Sequence, residues 1–274
     1  MTRISDCFKQ LAASKRTALI SYITAGDPHP QHTLELMYAL VEGGTDLIEL
    51  GIPFSDPMAD GPVIQAACER ALRHDTSLED VLKIVAQFRQ DNNTTPIIFM
   101  GYQNPFEIFG VNAFAQAASK LVDGVITVDL PPEESSDIAV AYKQHNIDTI
   151  YLLAPTTNGH RIQTISNLAS GFLYYVSFKG ITGANKLDVG SVAAKVAQIR
   201  DYSELPVAVG FGIKDAVSAK SVAACADAVV VGSAIVSIVA EHADNINAAK
   251  DKIKALLRSI KAALDDNEAA QKIA

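Results

Sequence analysis

Apolar and polar positions along this chain alternate between two periods. Short apolar runs, rich in β-branched residues and bounded by Gly, Pro or Asp, recur from one end to the other: Ala18–Ile23, Asp46–Leu50, Pro96–Met100, Gly124–Val128, Thr149–Leu153, Phe172–Val176, Pro206–Val209 and Ala228–Val231. Continuous apolar runs of this length predict strands buried on both faces. Between them, apolar residues return at helical spacing over Thr33–Glu42, Leu78–Gln90, Glu133–Gln144, Val189–Arg200 and Asp215–Ala223. Eight strand-helix units without a linker or a break in composition predict an α/β fold, a (β/α)8 TIM barrel, as a single domain over residues 1–274.

The two ends extend this frame. Met1–Leu11 mixes Arg3, Asp6 and Lys9 with apolar residues, which predicts an extra amphipathic helix rather than a signal-peptide core or a membrane span. Asn245–Lys261 has helical periodicity with Lys252, Lys254, Arg258 and Lys261 near its end, as suits an outer closing helix whose dipole favours cations there. Two connections are long: Gly51–Ser77 after the second strand and Ser177–Asp188 after the sixth. Loops that follow strands build the working face of a barrel, so length there predicts lids or partner contacts.

Composition narrows the classes of function. The chain is 49% hydrophobic and 20% charged, which excludes a disordered polymer. A net charge of −8 turns away nucleic acid and anionic membranes, so an anionic ligand has to be held by local features. Cys7, Cys68 and Cys225 are odd in number and far apart, which predicts reduced thiols in a cytoplasmic protein and no zinc or disulfide. His29 and His32 are near neighbours in a Pro-rich stretch without a carboxylate or thiol beside them, and read as solvated loop histidines rather than metal ligands.

Three glycine-bearing segments follow the last three strands: Gly180–Gly183, Gly210–Ile213 and Gly232–Ile235. Glycine lets backbone approach an anion closely, and a short helix opening at Ser233 would aim its N–H groups and dipole at one. Together they predict a phosphate site at the C-terminal mouth; tight turns are the plainer alternative. Glu49 interrupts an apolar run at the end of the second strand, sharing a face with Leu47. If that face points inward, a desolvated carboxyl stands at the mouth, with its pKa raised into the range useful for proton transfer. Asp56 and Asp60 lie in Pro53–Pro62, where prolines and glycine disfavour helix and strand, and such a loop can return a second carboxylate to Glu49.

The segment Glu49-Leu50-Gly51-Ile52-Pro53-Phe54-Ser55-Asp56-Pro57-Met58-Ala59-Asp60-Gly61-Pro62 resembles the signature of the tryptophan synthase alpha chain family, with Met58 where leucine is common. Met100–Pro105, Asp129-Leu130-Pro131, Gly180–Gly183, Gly210–Ile213 and Gly232–Val236 are similar to further segments of that family, although the glycine turns also occur in sister phosphate barrels. The resemblance implies cleavage of indole-3-glycerol phosphate to indole and glyceraldehyde 3-phosphate, without metal or cofactor in this chain. It also implies an α2β2 tetramer with a beta subunit that carries pyridoxal phosphate.

Carried over by resemblance, Glu49 protonates C3 of the indole and Asp60 meets the ring N–H. Tyr22, Met100, Ile126, Leu152, Tyr174 and Phe211 would line the indole pocket, with Tyr102 beside it. Gly183, Gly212, Gly232 and Ser233 would hold the phosphate, Thr182 would orient Asp60, and Asp56 with Pro57 would face the partner. Tyr22 stands where phenylalanine is common, Phe172 replaces a frequent tyrosine, and Phe178 stands where some members carry arginine. An indole-3-glycerol-phosphate synthase would be expected to show lysines at strand ends, which the eight runs lack. A quiet, partner-activating subunit is the non-enzymatic alternative, and the retained Glu49 and Asp60 speak against it.

Overall fold

All eight apolar runs form parallel strands. They are β1 (Ala18–Thr24), β2 (Leu47–Gly51), β3 (Ile97–Gly101), β4 (Gly124–Thr127), β5 (Asp148–Leu153), β6 (Leu173–Val176), β7 (Val207–Gly210) and β8 (Ala228–Val231), paired in sequence order with β8 returning to β1 in a closed barrel. The computed structural model describes residues 2–177, 188–210 and 212–271.

Period-two alternation divides each strand between two cores. Leu19, Ile23, Ile48, Leu50, Phe99 and Val125 point outward into the layer between strands and helices. Ile20, Leu47, Ile98, Ile126, Ile150, Phe172, Ala208 and Ala228 fill the barrel interior. The N-terminal helix α1 (Arg3–Ala13) closes that interior from below: Ile4, Phe8 and Leu11 join the same cluster, and the Phe8 ring lies 5.7 Å from that of Phe172. Its amphipathic pattern therefore serves to plug the barrel.

Three aspartates set the register at this lower end. Asp46, Asp123 and Asp227 each precede a strand, and each accepts, at 2.8 Å, the first or second N–H of the strand before it: Leu19, Ile97 and Val207. Each also meets a cation, Asp123 most fully, with Arg89 at 2.8 Å and Arg3 at 2.9 Å. Arg89 spends its remaining donors on the carbonyls of Leu121, Asn92 and Thr95, so the buried pair is satisfied on both sides.

The outer ring differs from the sequence reading in several places; the helix expected from Glu133, for one, starts at Ser136. Proline at its first turn opens a helix α3 (Pro62–Leu72) within the long connection after β2, shortening the irregular stretch to 52–61. Helix α2 (Pro30–Gly43) starts three residues early, so His32 is helical and His29 is its N-cap, accepting from the Gln31 N–H at 3.3 Å. After α4 (Leu78–Asp91) and β3, two short helices, α5 (Gln103–Phe109) and α6 (Val111–Ala118), meet at Gly110, whose φ of 88° lets the chain change direction. Then α7 (Ser136–Gln144), α8 (Gly159–Leu168), α9 (Val189–Arg200), α10 (Ala216–Ala223) and α11 (Ser233–Glu241) lead to α12 (Ile246–Gln271). Because α12 runs on to Gln271, its lysines are not at the negative end of a dipole; Lys250, Lys254 and Lys261 instead pair with Glu35, Glu42 and Asp46.

Candidate active site

Parallel pairing aligns Tyr22 with Glu49 and Thr24 with Gly51 across β1 and β2, and Gly51 with Met100 across β3. These residues share the inward face at the C-terminal end of the barrel, as the parity of Leu47 and Glu49 requires. Above them opens a cavity of about 700 Å³, whose wall includes Tyr22, Glu49, Asp60, Met100, Leu152 and Tyr174, with Gly212, Gly232 and Ser233 at one side.

Glu49 is 1% exposed, and neither of its carboxyl oxygens has a hydrogen-bond partner. Burial, followed by the charge of Asp60, pushes its pKa up to about 8. The side chain is therefore a proton donor at neutral pH that becomes a carboxylate after giving its proton away.

Asp60 is held differently. The Tyr102 hydroxyl donates to its Oδ2 at 2.9 Å and accepts the Ala59 N–H at 3.0 Å, while the Gln65 amide donates to the Asp60 carbonyl at 2.8 Å. Burial raises the Asp60 pKa, and the Tyr102 bond draws it back. Glu49 carries the heavier burial and feels the Asp60 charge as well, so Asp60 ionises first and Glu49 keeps the proton. This is the division of labour expected of two carboxyls in unlike surroundings.

At one side of the cavity lie two glycines and a helix start. Gly212 has φ 79°, a conformation that side chains resist, and Gly232 caps α11 without a side chain, so the first residue of that helix, Ser233, lines the cavity beside it. Tyr22 and Tyr174 close the interior wall, each with its ring folded over a glycine of the next strand, Gly51 and Gly210. The Tyr22 hydroxyl shares a 3.1 Å hydrogen bond with Thr24.

Most expected site residues converge here, with exceptions. Ile126 pairs in register with Met100 but is fully buried in the barrel-interior cluster, against which Met100 packs, and is absent from the cavity wall. Tyr102 stands behind Asp60 rather than on the wall, its ring stacked 5.2 Å from Phe54. Asp56 is exposed, accepting from the Ser55 hydroxyl at 2.6 Å, and Pro57 is half-buried beside it. Thr182, Gly183 and Phe211 lie outside the described residues. Sequence reasoning missed Ile64, Val128, Thr157, Arg161 and Ile213 on the wall and Thr24 behind Tyr22. Val128 and Ile213 lie just after strands, a position that does not separate wall from surface, while Ile64 and Arg161 sit on helices α3 and α8 and carried no signal along the chain.

No group of three or more metal-ligating side chains occurs among the described residues. The three thiols are unpaired, and burial pushes Cys7 up to about 12 and Cys68 to about 11, so neither is a nucleophile at neutral pH. No helix among the described residues is long and apolar enough to cross a membrane.

Fold and site together define the class: a TIM barrel with two carboxyl groups, Glu49 and Asp60, in a cavity at its C-terminal mouth. The family model of the tryptophan synthase alpha chain matches residues 8–265. The tryptophan synthase alpha chain of Thioalkalivibrio sulfidiphilus is 55% identical over 266 residues, covering 97% of this chain and 100% of that one. That of Nitrosococcus oceani is 54% identical over 269 residues, covering 98% and 99%. The crystal structure of the alpha subunit from Legionella pneumophila str. Paris superposes with a TM-score of 0.90 at 44% identity, covering 97% of this chain and 99% of that one. The chain belongs to the tryptophan synthase alpha chain family.

Proposed function

We propose that the cavity takes indole-3-glycerol phosphate and releases indole and glyceraldehyde 3-phosphate, with Glu49 as proton carrier and Asp60 as partner of the ring N–H. The observation that carries this reading is the buried, unpartnered Glu49 carboxyl, raised to about 8, in one cavity with Asp60.

An indole carbanion is a poor leaving group, so the ring must accept a proton before the bond breaks. Glu49 gives its proton to C3 while Asp60 relieves the ring nitrogen of its own, forming an indolenine. The Glu49 carboxylate then takes the proton of the adjacent glycerol hydroxyl. The C–C bond breaks, its electron pair returns to the ring, the nitrogen regains its proton, and the hydroxyl carbon becomes the aldehyde. Apart from the C–C cleavage, which leaves no net change of oxidation state, every step is a proton transfer that Glu49 or Asp60 can carry, so this chain needs no cofactor of its own. Apolar Met100 and Leu152, with Tyr22 and Tyr174, suit the indole, and Gly212, Gly232 and Ser233 suit the phosphate.

A tryptophan synthase alpha chain works in tryptophan biosynthesis beside a beta subunit. We infer an α2β2 assembly in the cytoplasm, with pyridoxal phosphate in the beta subunit and the exposed Asp56 and Pro57 on the contact face. Glu49→Gln tests the chemistry: it should bind substrate yet lose nearly all indole release, since an amide cannot cycle a proton. Near-parental turnover by that variant would overturn the mechanism.

A further inference from the structure

The substrate proposed above is a phosphate ester, and this inference rests on that reading. It has to enter a chain of net charge −8 through a mouth whose acids are Glu49 and Asp60. Among the described residues of the cavity wall, Arg161 is the one cation.

Arg161 lies in the first turn of α8, directly after β5. Its backbone is fixed, because the Asn158 side chain accepts the Arg161 N–H at 2.9 Å as the cap of that helix. Among the described residues its guanidinium is bonded to Glu133 alone, by two N–H groups at 2.6 and 3.3 Å, and the two side chains are 44% and 54% exposed. Exposed ion pairs of this kind contribute little and exchange readily. A guanidinium fork that grips a carboxylate with two N–H groups presents the same geometry to phosphoryl oxygens.

We propose that Arg161 is a capture residue for the phosphate ester, leaving Glu133 for phosphoryl oxygens as the substrate crosses the rim toward Gly212, Gly232 and Ser233. Glu133 is its counterweight, holding the guanidinium at the rim and lowering the local attraction for anions until a ligand with two negative charges displaces it. Both side chains act on entry and affinity; neither moves a proton.

The probes are glycerol phosphate, which carries the anion without the ring, and indole, which carries the ring without the anion. Calorimetric titration of the full chain should show Arg161→Gln binding glycerol phosphate about threefold to tenfold more weakly at low salt, with the loss shrinking as salt rises. Indole affinity should not change. Arg161→Lys should recover part of the loss, and Glu133→Gln should bind glycerol phosphate about twofold to threefold more tightly. In turnover, Arg161→Gln should raise KM by more than it lowers kcat.

Parental affinity for glycerol phosphate in Arg161→Gln overturns the inference. So does weaker binding by Glu133→Gln, or an equal loss for indole, since a purely structural pair would damage both variants and both probes alike. If the parent chain itself fails to bind glycerol phosphate, the phosphate reading falls first, and that outcome is distinct from the others.

Discussion

The Tyr22 phenol lies over the α-carbon of Gly51, so close that a methyl group at position 51 would come within 2.6 Å of its Cζ and nearer still to its hydroxyl. The contact joins the tops of β1 and β2 beside Glu49, and the Thr24 hydroxyl holds the phenol there. Gly51→Ala should therefore push Tyr22 into the cavity. We expect a loss of at least about tenfold in kcat/KM with a stability cost of about 1–3 kcal/mol from overpacking. Steady-state kinetics and denaturant melts check this, and a parental kcat/KM in a folded variant would refute it.

The Glu49 pKa fixes the pH behaviour of the free enzyme. With the acid form required and its pKa near 8, kcat/KM should fall as pH rises through about 8, approaching tenfold per unit above it. Stability should carry the same group. The folded value lies above the ordinary 4.5, so the fold holds this proton more tightly than the unfolded chain does. Its contribution is fully present below about 4.5 and is lost as pH rises to about 8, after which it is flat. Relative to Glu49→Gln, the parent should weaken across that window by an amount on the order of a few kcal/mol. Parallel stability curves for the two proteins would show that the carboxyl is not shifted in this way.

Tyr102 positions Asp60 from behind. Tyr102→Phe keeps the ring against Phe54 and removes the 2.9 Å donor to the carboxylate. The hydroxyl bond lowers the Asp60 pKa, so its loss should raise it and move the acid limb of the pH-rate profile upward. The rate at neutral pH should fall by about tenfold to a hundredfold, as for loss of one charge-assisted hydrogen bond. An unmoved acid limb would exclude Asp60 as the group that Tyr102 tunes.

Asp123 should matter for stability and not for chemistry. Its carboxylate is 3% exposed and bonds Arg89, Arg3 and the Ile97 N–H at the closed end of the barrel. Asp123→Ala leaves Arg89 buried without its partner, a loss of about 3–5 kcal/mol. Turnover per folded molecule should stay near parental. Thermal melts and active-site titration separate the two, and a fold as stable as the parent would show that the network is dispensable.

What the sequence determined by itself is what depends on neighbours along the chain. Alternation within Leu47–Gly51 put Glu49 on one face with Leu47, and β-branched runs marked all eight strands, because these properties are local to the backbone; closure of the barrel decided that this face points inward. Tertiary structure alone decided the rest. The separation of 42 positions from Asp60 to Tyr102 is crossed only when the loop after β2 folds back over β3, and that of 28 from Glu133 to Arg161 only when β4 and β5 pair. No pattern along α1 says that it plugs the barrel floor, and none in β4 says that Ile126 is buried in the barrel interior while its register partner Met100 reaches the cavity wall. The Glu49 pKa belongs to the same class: the residue supplies a carboxyl, and closure of eight strands around it removes the water that would hold it near 4.5.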